Sequence, residues 1–340
     1  MWKKTMSCNV VVGGFFGDEG KGKLIAYLAL KDKPSAIVRG GVGPNAGHTV
    51  QFEGKTYSLR MIPSGFTNKS SKLLIGPGVS VDPKVFLKEI SLTETESRVG
   101  LDSQCGIIEE KHIQAEMSSN HLSKKVGSTK SGVGACNADR VLRVAKIARE
   151  IPELSQYIVD VPQEINELID RNEDILVEGT QGTFLSLYHG TYPFCTSKDV
   201  CASAICSDIG IGPARVSDIT LVFKAFVTRV GEGKLDGQLK REEVIRRGWI
   251  EYGTVTRRER RAAPFDFNLA KRAIMLNSAT QLAITKIDLI SPKAAGVKAF
   301  EDLPKEAKEF IENIESKTDR PVNLIGTGPS TLDIIDRRHQ

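Results

Sequence analysis

The chain has 340 residues, 40% hydrophobic and 26% charged, with a formal net charge of +5. That is the balance of a soluble globular protein with length enough for one large α/β domain, and residues 1–340 read as a single elaborated domain. No run of five like charges marks a nucleic-acid arm, and no apolar span reaches membrane length. Met1-Trp2-Lys3-Lys4-Thr5-Met6 lacks the apolar stretch of a leader peptide. Neither nucleic acid nor membrane is an expected partner, and the expected compartment is the cytoplasm. The mild positive excess suits anionic small molecules.

In chain order, the first signal is the apolar run Val10-Val11-Val12, which leads into Gly13 to Lys23, GGFFGDEGKGK. A second run, Ala36-Ile37-Val38, leads into Arg39 to Thr49, RGGVGPNAGHT. Each reads as a buried strand followed by a glycine-rich loop whose backbone N–H groups can approach a phosphate. Lys21 and Lys23 add positive charge. Asp18 and His48 are groups that move protons, and Asp18 is also a candidate metal ligand. Gly17, Gly22 and Lys23 fit G-x-x-x-x-G-K, but Leu24 stands where a Mg²⁺-binding Ser or Thr belongs. The loop is therefore P-loop-like rather than a standard P-loop; its ordinary alternative is a glycine turn with solvated lysines. Leu24, Ile25, Leu28 and Ala29 then repeat at helical spacing, predicting a helix over 23–31 that points its N-terminus at the ligand.

Val50 to Leu59 predicts a polar hairpin with Glu53-Gly54 at the turn, and Leu73-Leu74-Ile75 a further strand. Lys124 to Asn137 is glycine- and hydroxyl-rich, predicting a loop that orders on binding. A helix is predicted over 139–149, with Val141, Leu142, Ala145 and Ala148 on one face and Arg140 and Arg143 beside them. Ile175-Leu176-Val177 before EGTQG (178–182), Ile219 to Phe223, Leu282-Ala283-Ile284 before Thr285-Lys286-Ile287-Asp288, and Val322 to Ile325 before Gly326-Thr327-Gly328-Pro329 all read as strands ending in loops. Ala307, Phe310, Ile311 and Ile314 read as an amphipathic helix. Alternation of strand, loop and helix predicts a large, mostly parallel central sheet flanked by helices, with ligands at the carboxyl ends of the strands.

Arg257, Arg258, Arg260 and Arg261 crowd one short stretch; this is either a solvated basic patch or a clamp for phosphate or carboxylate. Lys286-Ile287-Asp288 at a strand end suits a guanine base, whose N1–H and amino group a carboxylate accepts. The six cysteines show no C-x-x-C spacing, and no His–Cys pattern completes a zinc site around Cys195, Cys201 and Cys206, so buried reduced thiols are expected.

Taken together, GDEGKGK, NAGHT, the GST-x-x-G loop, EGTQG, GTYPFCTS, the arginine loop, TKID and TGP resemble the adenylosuccinate synthetase family, in its short archaeal form, essentially end to end. The resemblance implies a GTP-dependent ligase, typically a homodimer, that joins IMP to L-aspartate through a 6-phosphoryl intermediate. This is the first committed step of AMP synthesis from IMP. It further implies Asp18 as catalytic base and His48 as acid, with Lys21 and Gln181 in the catalytic set and Mg²⁺ on Asp18 and Gly47. IMP would be held by Asn45, Thr129, Gln181, Thr196 and Arg258, with Arg143 reaching in from the neighbouring subunit. Thr256, Arg258 and Arg260 match the aspartate loop. For GTP, the match covers Gly17, Glu19, Gly20, Lys21, Gly22, Lys23, Gly47, His48, Thr49 and Arg260 around the phosphates. Lys286, Asp288 and Gly328 match the guanine pocket.

The chain also departs from the family pattern. Arg257 stands where a glycine is usual, Glu259 interrupts the arginine run, and Phe15-Phe16 replaces Gln-Trp. Gly231-Glu232-Gly233-Lys234-Leu235 replaces a Gly-Pro-Phe-Pro stretch. One alternative is the phage-type relative that acts on a guanine nucleotide; that group lacks an acid at the Asp18 position, which favours IMP. Another is a GTP-binding switch without ligase activity, which needs neither the aspartate loop nor His48.

Overall fold

The computed structural model describes residues 8–255 and 257–338. Ten strands form the main sheet: β1 (Cys8–Gly13), β2 (Ala36–Arg39), β3 (Lys72–Ile75), β4 (Val99–Asp102), β5 (Ile158–Val159), β6 (Ile175–Glu178), β7 (Asp218–Lys224), β8 (Gln281–Thr285), β9 (Val322–Gly326) and β10 (Ile334–Asp336). Their spatial order is β10-β9-β8-β7-β1-β6-β2-β3-β4-β5, and every pairing is parallel except β9 with β10. β1, at the centre, is buried along its whole length, as a parallel strand covered on both faces must be. Its side chains alternate: Val10 and Val12 pack into one core layer and Val11 into the other.

Helices α1 (Lys21–Asp32), α2 (Pro83–Thr93), α3 (Glu110–Ser118), α4 (Val133–Leu142), α5 (Val161–Asp170), α6 (Ala202–Ile209), α7 (Arg241–Arg246), α8 (Phe267–Asn277) and α9 (Lys305–Thr318) complete the architecture. α1 joins the layer of Val11, while α5, α6, α8 and α9 cover the face of Val10 and Val12. The predicted hairpin is present as strands 48–52 and 55–59, with Glu53 and Gly54 both at positive φ in the turn.

One predicted element is displaced. The helix read over 139–149 is instead α4, which begins at Val133 inside the stretch read as a loop and ends at Leu142. Arg143 is its left-handed C-cap at φ 63°, so it does not lie on a helical face with Ala145 and Ala148. The reason is an unusual start: left-handed Gly132 precedes the helix, and its first N–H groups are met by distant Glu116 rather than by a local Ser or Asp. A π-helical turn, His121–Val126, occupies the first part of the stretch read as a loop. Among the described residues no helix is long and apolar enough to cross a membrane.

Candidate active site

The loop between β1 and α1 is held by its own acid. Glu19 is fully buried. One carboxylate oxygen accepts from the backbone N–H groups of Phe15 (3.1 Å) and Gly17 (2.7 Å), the other from the Lys21 ammonium (2.8 Å). Gly17 and Asp18 both take positive φ (86° and 64°), and Asp18 opens onto a cavity of about 400 Å³. Asp18 Oδ2 lies 3.0 Å from Arg260 Nε. Burial lifts the Asp18 carboxyl above the usual carboxylate range, against the pull of Arg260 and Lys224. A lifted carboxylate is the better proton acceptor near neutral pH.

His48 enters the cavity from the start of the hairpin, pressed against α1. A Cβ on Gly22 would sit 2.9 Å from the His48 Cβ, so only glycine admits this approach. Behind the ring stand Glu178 and Arg39, the last residues of β6 and β2, which the sheet register sets side by side. The Glu178 carboxylate contacts His48 Nδ1 and accepts from Arg39 Nη1 (3.1 Å), Ser64 Oγ (2.7 Å) and Ser64 N (2.6 Å). Burial pushes the imidazole down to about 4, outweighing the upward pull of Glu178. Burial alone would raise Glu178, but His48, Arg39 and Ser64 overcome it and hold that carboxyl at about 2. At neutral pH the pair is thus a neutral ring on an anionic acceptor. Nδ1 carries the ring proton, and Nε2 is the nitrogen left for a ligand.

The other predicted residues divide into two groups. Gln181 Nε2 donates to Asn45 Oδ1, and Asn45 Nδ2 donates to Thr196 Oγ1, both at 3.2 Å; the chain of amide and hydroxyl groups lines the same cavity. The Gln181 Oε1 atom is buried without a protein partner. Thr129 borders the same cavity, as do Gly17, Lys21, Gly47, Arg258 and Arg260. Arg258 Nη2 reaches the Gly127 carbonyl at 2.7 Å. Thr256 lies outside the described residues. Arg257 holds φ 56°, which accounts for a glycine at this position elsewhere in the family pattern. Arg143 stands away from the cavity.

The second group gathers around Lys23. Its ammonium donates to the carbonyls of Gly328 (2.5 Å) and Asp333 (2.7 Å), so the lysine with Walker spacing ties the first loop to the last rather than facing the cavity. Burial lowers it to about 8, opposed by the nearby acids Asp333 and Asp288. One Asp288 oxygen is buried without a partner. Gly20 is the left-handed N-cap of α1, and Thr49 is exposed on the hairpin. Glu251 links the two groups: it pairs with buried Lys224, lies 3.6 Å from Lys286, and its carbonyl accepts from Arg260 N at 2.8 Å.

Several residues in and beneath the cavity had no role assigned from the sequence. Arg229 lies over the Phe16 ring (4.5 Å to its centroid) and donates to Thr191 Oγ1 (2.6 Å) and the Phe194 carbonyl (3.0 Å), fixing the loop that carries Thr196. Phe15 packs against Phe223 and Phe265 beneath the glycine loop. Glu116 reaches in from α3 to hold Ser128 Oγ, Gly132 N and Gly134 N. Only Phe15 and Phe16 carried a signal, by their place in the glycine motif.

Comparison with known proteins identifies the family. The family model for adenylosuccinate synthetase matches residues 10–154 and 143–294. The adenylosuccinate synthetases of Archaeoglobus fulgidus and Methanocaldococcus jannaschii are 52% and 51% identical over 335 and 338 residues. These alignments cover 98% of this chain in both cases and 99% and 98% of the relatives. The chain belongs to the adenylosuccinate synthetase family. The family are ligases, and GTP dependence and AMP synthesis go with membership. The fold is shared with a fully ligated adenylosuccinate synthetase from Plasmodium falciparum (TM-score 0.89, 23% identity, 97% of this chain and 99% of that one). It is also similar to a cyanophage S-2L succinoaminodeoxyadenylate synthetase bound to dGMP and dATP (TM-score 0.81, 25% identity, 98% and 96%).

Proposed function

We propose that the chain, acting as one elaborated α/β unit in the cytoplasm, joins IMP to L-aspartate at the cost of GTP, releasing adenylosuccinate, GDP and phosphate. The observation that carries this reading is Asp18, turned onto the cavity by its left-handed backbone with Arg260 Nε 3.0 Å away, its carboxyl raised by burial. Asp18 takes the N1 proton of IMP, and O6 then forms a bond to the γ-phosphorus of GTP as the bond to the β,γ-bridging oxygen breaks. His48 meets that departing oxygen. Its ring is neutral in the free protein, and the phosphate charges of bound GTP raise its pKa so that Nε2 can carry a proton. The amino group of aspartate then displaces phosphate from C6.

Asn45, Gln181, Thr196, Thr129 and Arg258 hold IMP. Arg258, Arg260 and Thr256 take the aspartate carboxylates, whose geometry guanidinium forks match. Lys286, Asp288 and Gly328 take the guanine. Asp18 and Gly47 border the same cavity, and their carboxylate and carbonyl are the groups that would hold a metal ion. One carboxylate and one carbonyl, completed by phosphate oxygens and water, is a donor set that suits Mg²⁺. An ion held there would neutralise charge between the phosphates.

Arg143 acts on the IMP of a neighbouring copy. It is flanked by Val141, Leu142 and Val144, which are 73%, 68% and 61% exposed. Three neighbouring apolar side chains in water support the reading that a second subunit covers this surface.

The test is phosphate release from GTP, measured with IMP or dGMP, with and without aspartate. Release that needs IMP and aspartate together supports the reading. Preference for dGMP would move the protein to the phage-type reaction, and GTP turnover indifferent to both substrates would make it a switch.

A further inference from the structure

The run Arg257-Arg258-Glu259-Arg260-Arg261 is interrupted by one acid, and the proposed reaction gives that acid no task. In the structure the run forms one arm of a narrow hairpin. Arg260 N donates to the Glu251 carbonyl (2.8 Å), Gly253 N donates to the Arg258 carbonyl (2.9 Å), and Tyr252 pairs with Glu259 in an antiparallel bridge. Side chains on an extended arm alternate between its faces. Arg258 and Arg260 face the cavity, and Glu259 faces away. Its two carboxylate oxygens accept from Nε (2.9 Å) and Nη2 (3.2 Å) of Arg241, the first residue of α7. This is the planar two-point match that only arginine offers a carboxylate.

The far side of the fork is anchored. Val244 of α7 is buried, and Trp249, just beyond it, stacks on Phe226 with centroids 4.3 Å apart and planes 6° from parallel. At the tip of the hairpin, Thr254 packs so closely on Gly47 that a Cβ there would lie 2.7 Å from the threonine methyl. The fork thus joins a core-anchored helix to a hairpin that reaches over the cavity.

We infer that Glu259 is a positioning residue. Through Arg241 it holds the hairpin so that Arg258 and Arg260 are set for a dicarboxylate, and so tunes affinity for aspartate from outside the cavity. The inference rests on the proposed reading of the cavity. It predicts a pattern that a merely solvated ion pair would not give. Glu259→Gln should raise the KM for aspartate roughly three- to tenfold, with a smaller rise for IMP, which shares Arg258, and with kcat within about twofold and the KM for GTP unchanged. Glu259→Arg, which sets two guanidiniums face to face, should raise it further, and Arg241→Glu should do the same. The double variant E259R/R241E should return to within about threefold of the parent. Added salt should raise the aspartate KM of both, through the attraction of aspartate to Arg258 and Arg260, but more steeply in the parent than in Glu259→Gln, which has lost the screened fork.

Hydrogen exchange of residues 251–258, without substrates, gives a second reading that does not depend on activity. Exchange should quicken in Glu259→Arg and recover in the double variant. Unchanged aspartate KM in the single variants, a double variant no better than either, or equal changes for all three substrates would overturn the inference. If the parent shows no IMP–aspartate ligation, the reading of the cavity fails, while the exchange experiment still decides whether the fork orders the hairpin.

Discussion

The Glu178 carboxylate bonds directly to His48 Nδ1, in a pocket where Arg39 and Glu178 are wholly buried and the ring nearly so. The bond leaves the imidazole one orientation and one neutral tautomer. Glu178→Gln keeps the shape but removes the acceptor charge, and we predict a fall in kcat of roughly 10²-fold with the KM for aspartate unchanged. Each change leaves one buried charge of the Arg39–Glu178 pair uncompensated, so Glu178→Gln and Arg39→Met should both cost stability, about 3–5 kcal/mol. Arg39→Met, however, leaves His48 its anionic acceptor and should lower kcat much less. Steady-state kinetics and urea titration of the two variants separate these effects; equal falls in kcat would refute the assignment.

The same pair predicts sensitivity to acid. His48 is held at about 4, below its ordinary 6.5, and Glu178 at about 2, below its ordinary 4.5. Between 6.5 and 4 the unfolded chain binds a proton at residue 48 that the native one refuses. Between 4.5 and 2 the same holds at residue 178. Both contributions are therefore complete above 6.5 and are lost as pH falls through those windows. Asp18, whose carboxyl is raised, contributes with opposite sign but equally in parent and variant. Denaturant midpoints should fall from about pH 7.5 to about pH 4, and less steeply in the double variant His48→Asn, Glu178→Gln. A midpoint that rises on acidification would contradict the pairing.

Asp18→Asn should fold like the parent, because asparagine tolerates the left-handed backbone that residue 18 adopts. Loss of the base alone should lower turnover by ~10²–10⁴-fold, and loss of a carboxylate donor for the metal should deepen the effect. Thermal melts and product formation decide it. Activity within a few-fold of the parent would remove Asp18 from the mechanism.

Asp288 has an oxygen buried without a partner, beside the loop that Lys23 clasps. A guanine N1–H and amino group would satisfy it, whereas adenine has no matching donors. GTP should therefore work far better than ATP. Asp288→Asn should weaken GTP and improve XTP, whose 2-oxo group prefers a donor. Equal use of ATP and GTP by the parent would be incompatible with this pocket.

Arg143 is tested by mixing. Asp18→Asn and Arg143→Leu should each be nearly inactive alone. After subunit exchange, half of all dimers should be hybrids with one intact site, restoring roughly a quarter of parental activity per subunit. Exchange is verified by a mass tag. No recovery once exchange is seen would place Arg143 outside any shared site.

Much of this molecule could be read from its sequence because the parallel strands are short apolar runs that end abruptly at glycine, as β1 and β2 do. Asp18 and His48 were legible for the same reason, since each sits in a glycine loop at a strand end. Arg39 and Glu178 were not. Each is a lone charge closing an apolar run, and only the sheet register brings together two residues 139 positions apart. The start of α4 was hidden by Gly132 and Gly134, which read as loop until Glu116 is seen to cap them from another helix. Glu19 sat inside the most informative motif, yet nothing in GDEG tells that its carboxylate turns inward to brace the loop.

The ammonium of Lys23 spans 305 positions of sequence to reach the Gly328 carbonyl. During synthesis the glycine loops leave the ribosome first, long before the strands and loops that fix them exist. With the base pocket placed there as proposed, GTP would have no finished site on the growing chain and could not act as an early template for its folding. Nucleotide capture becomes a report that the last loop has docked, and a chain cut short before Gly328 should keep many of its strands while losing the base pocket.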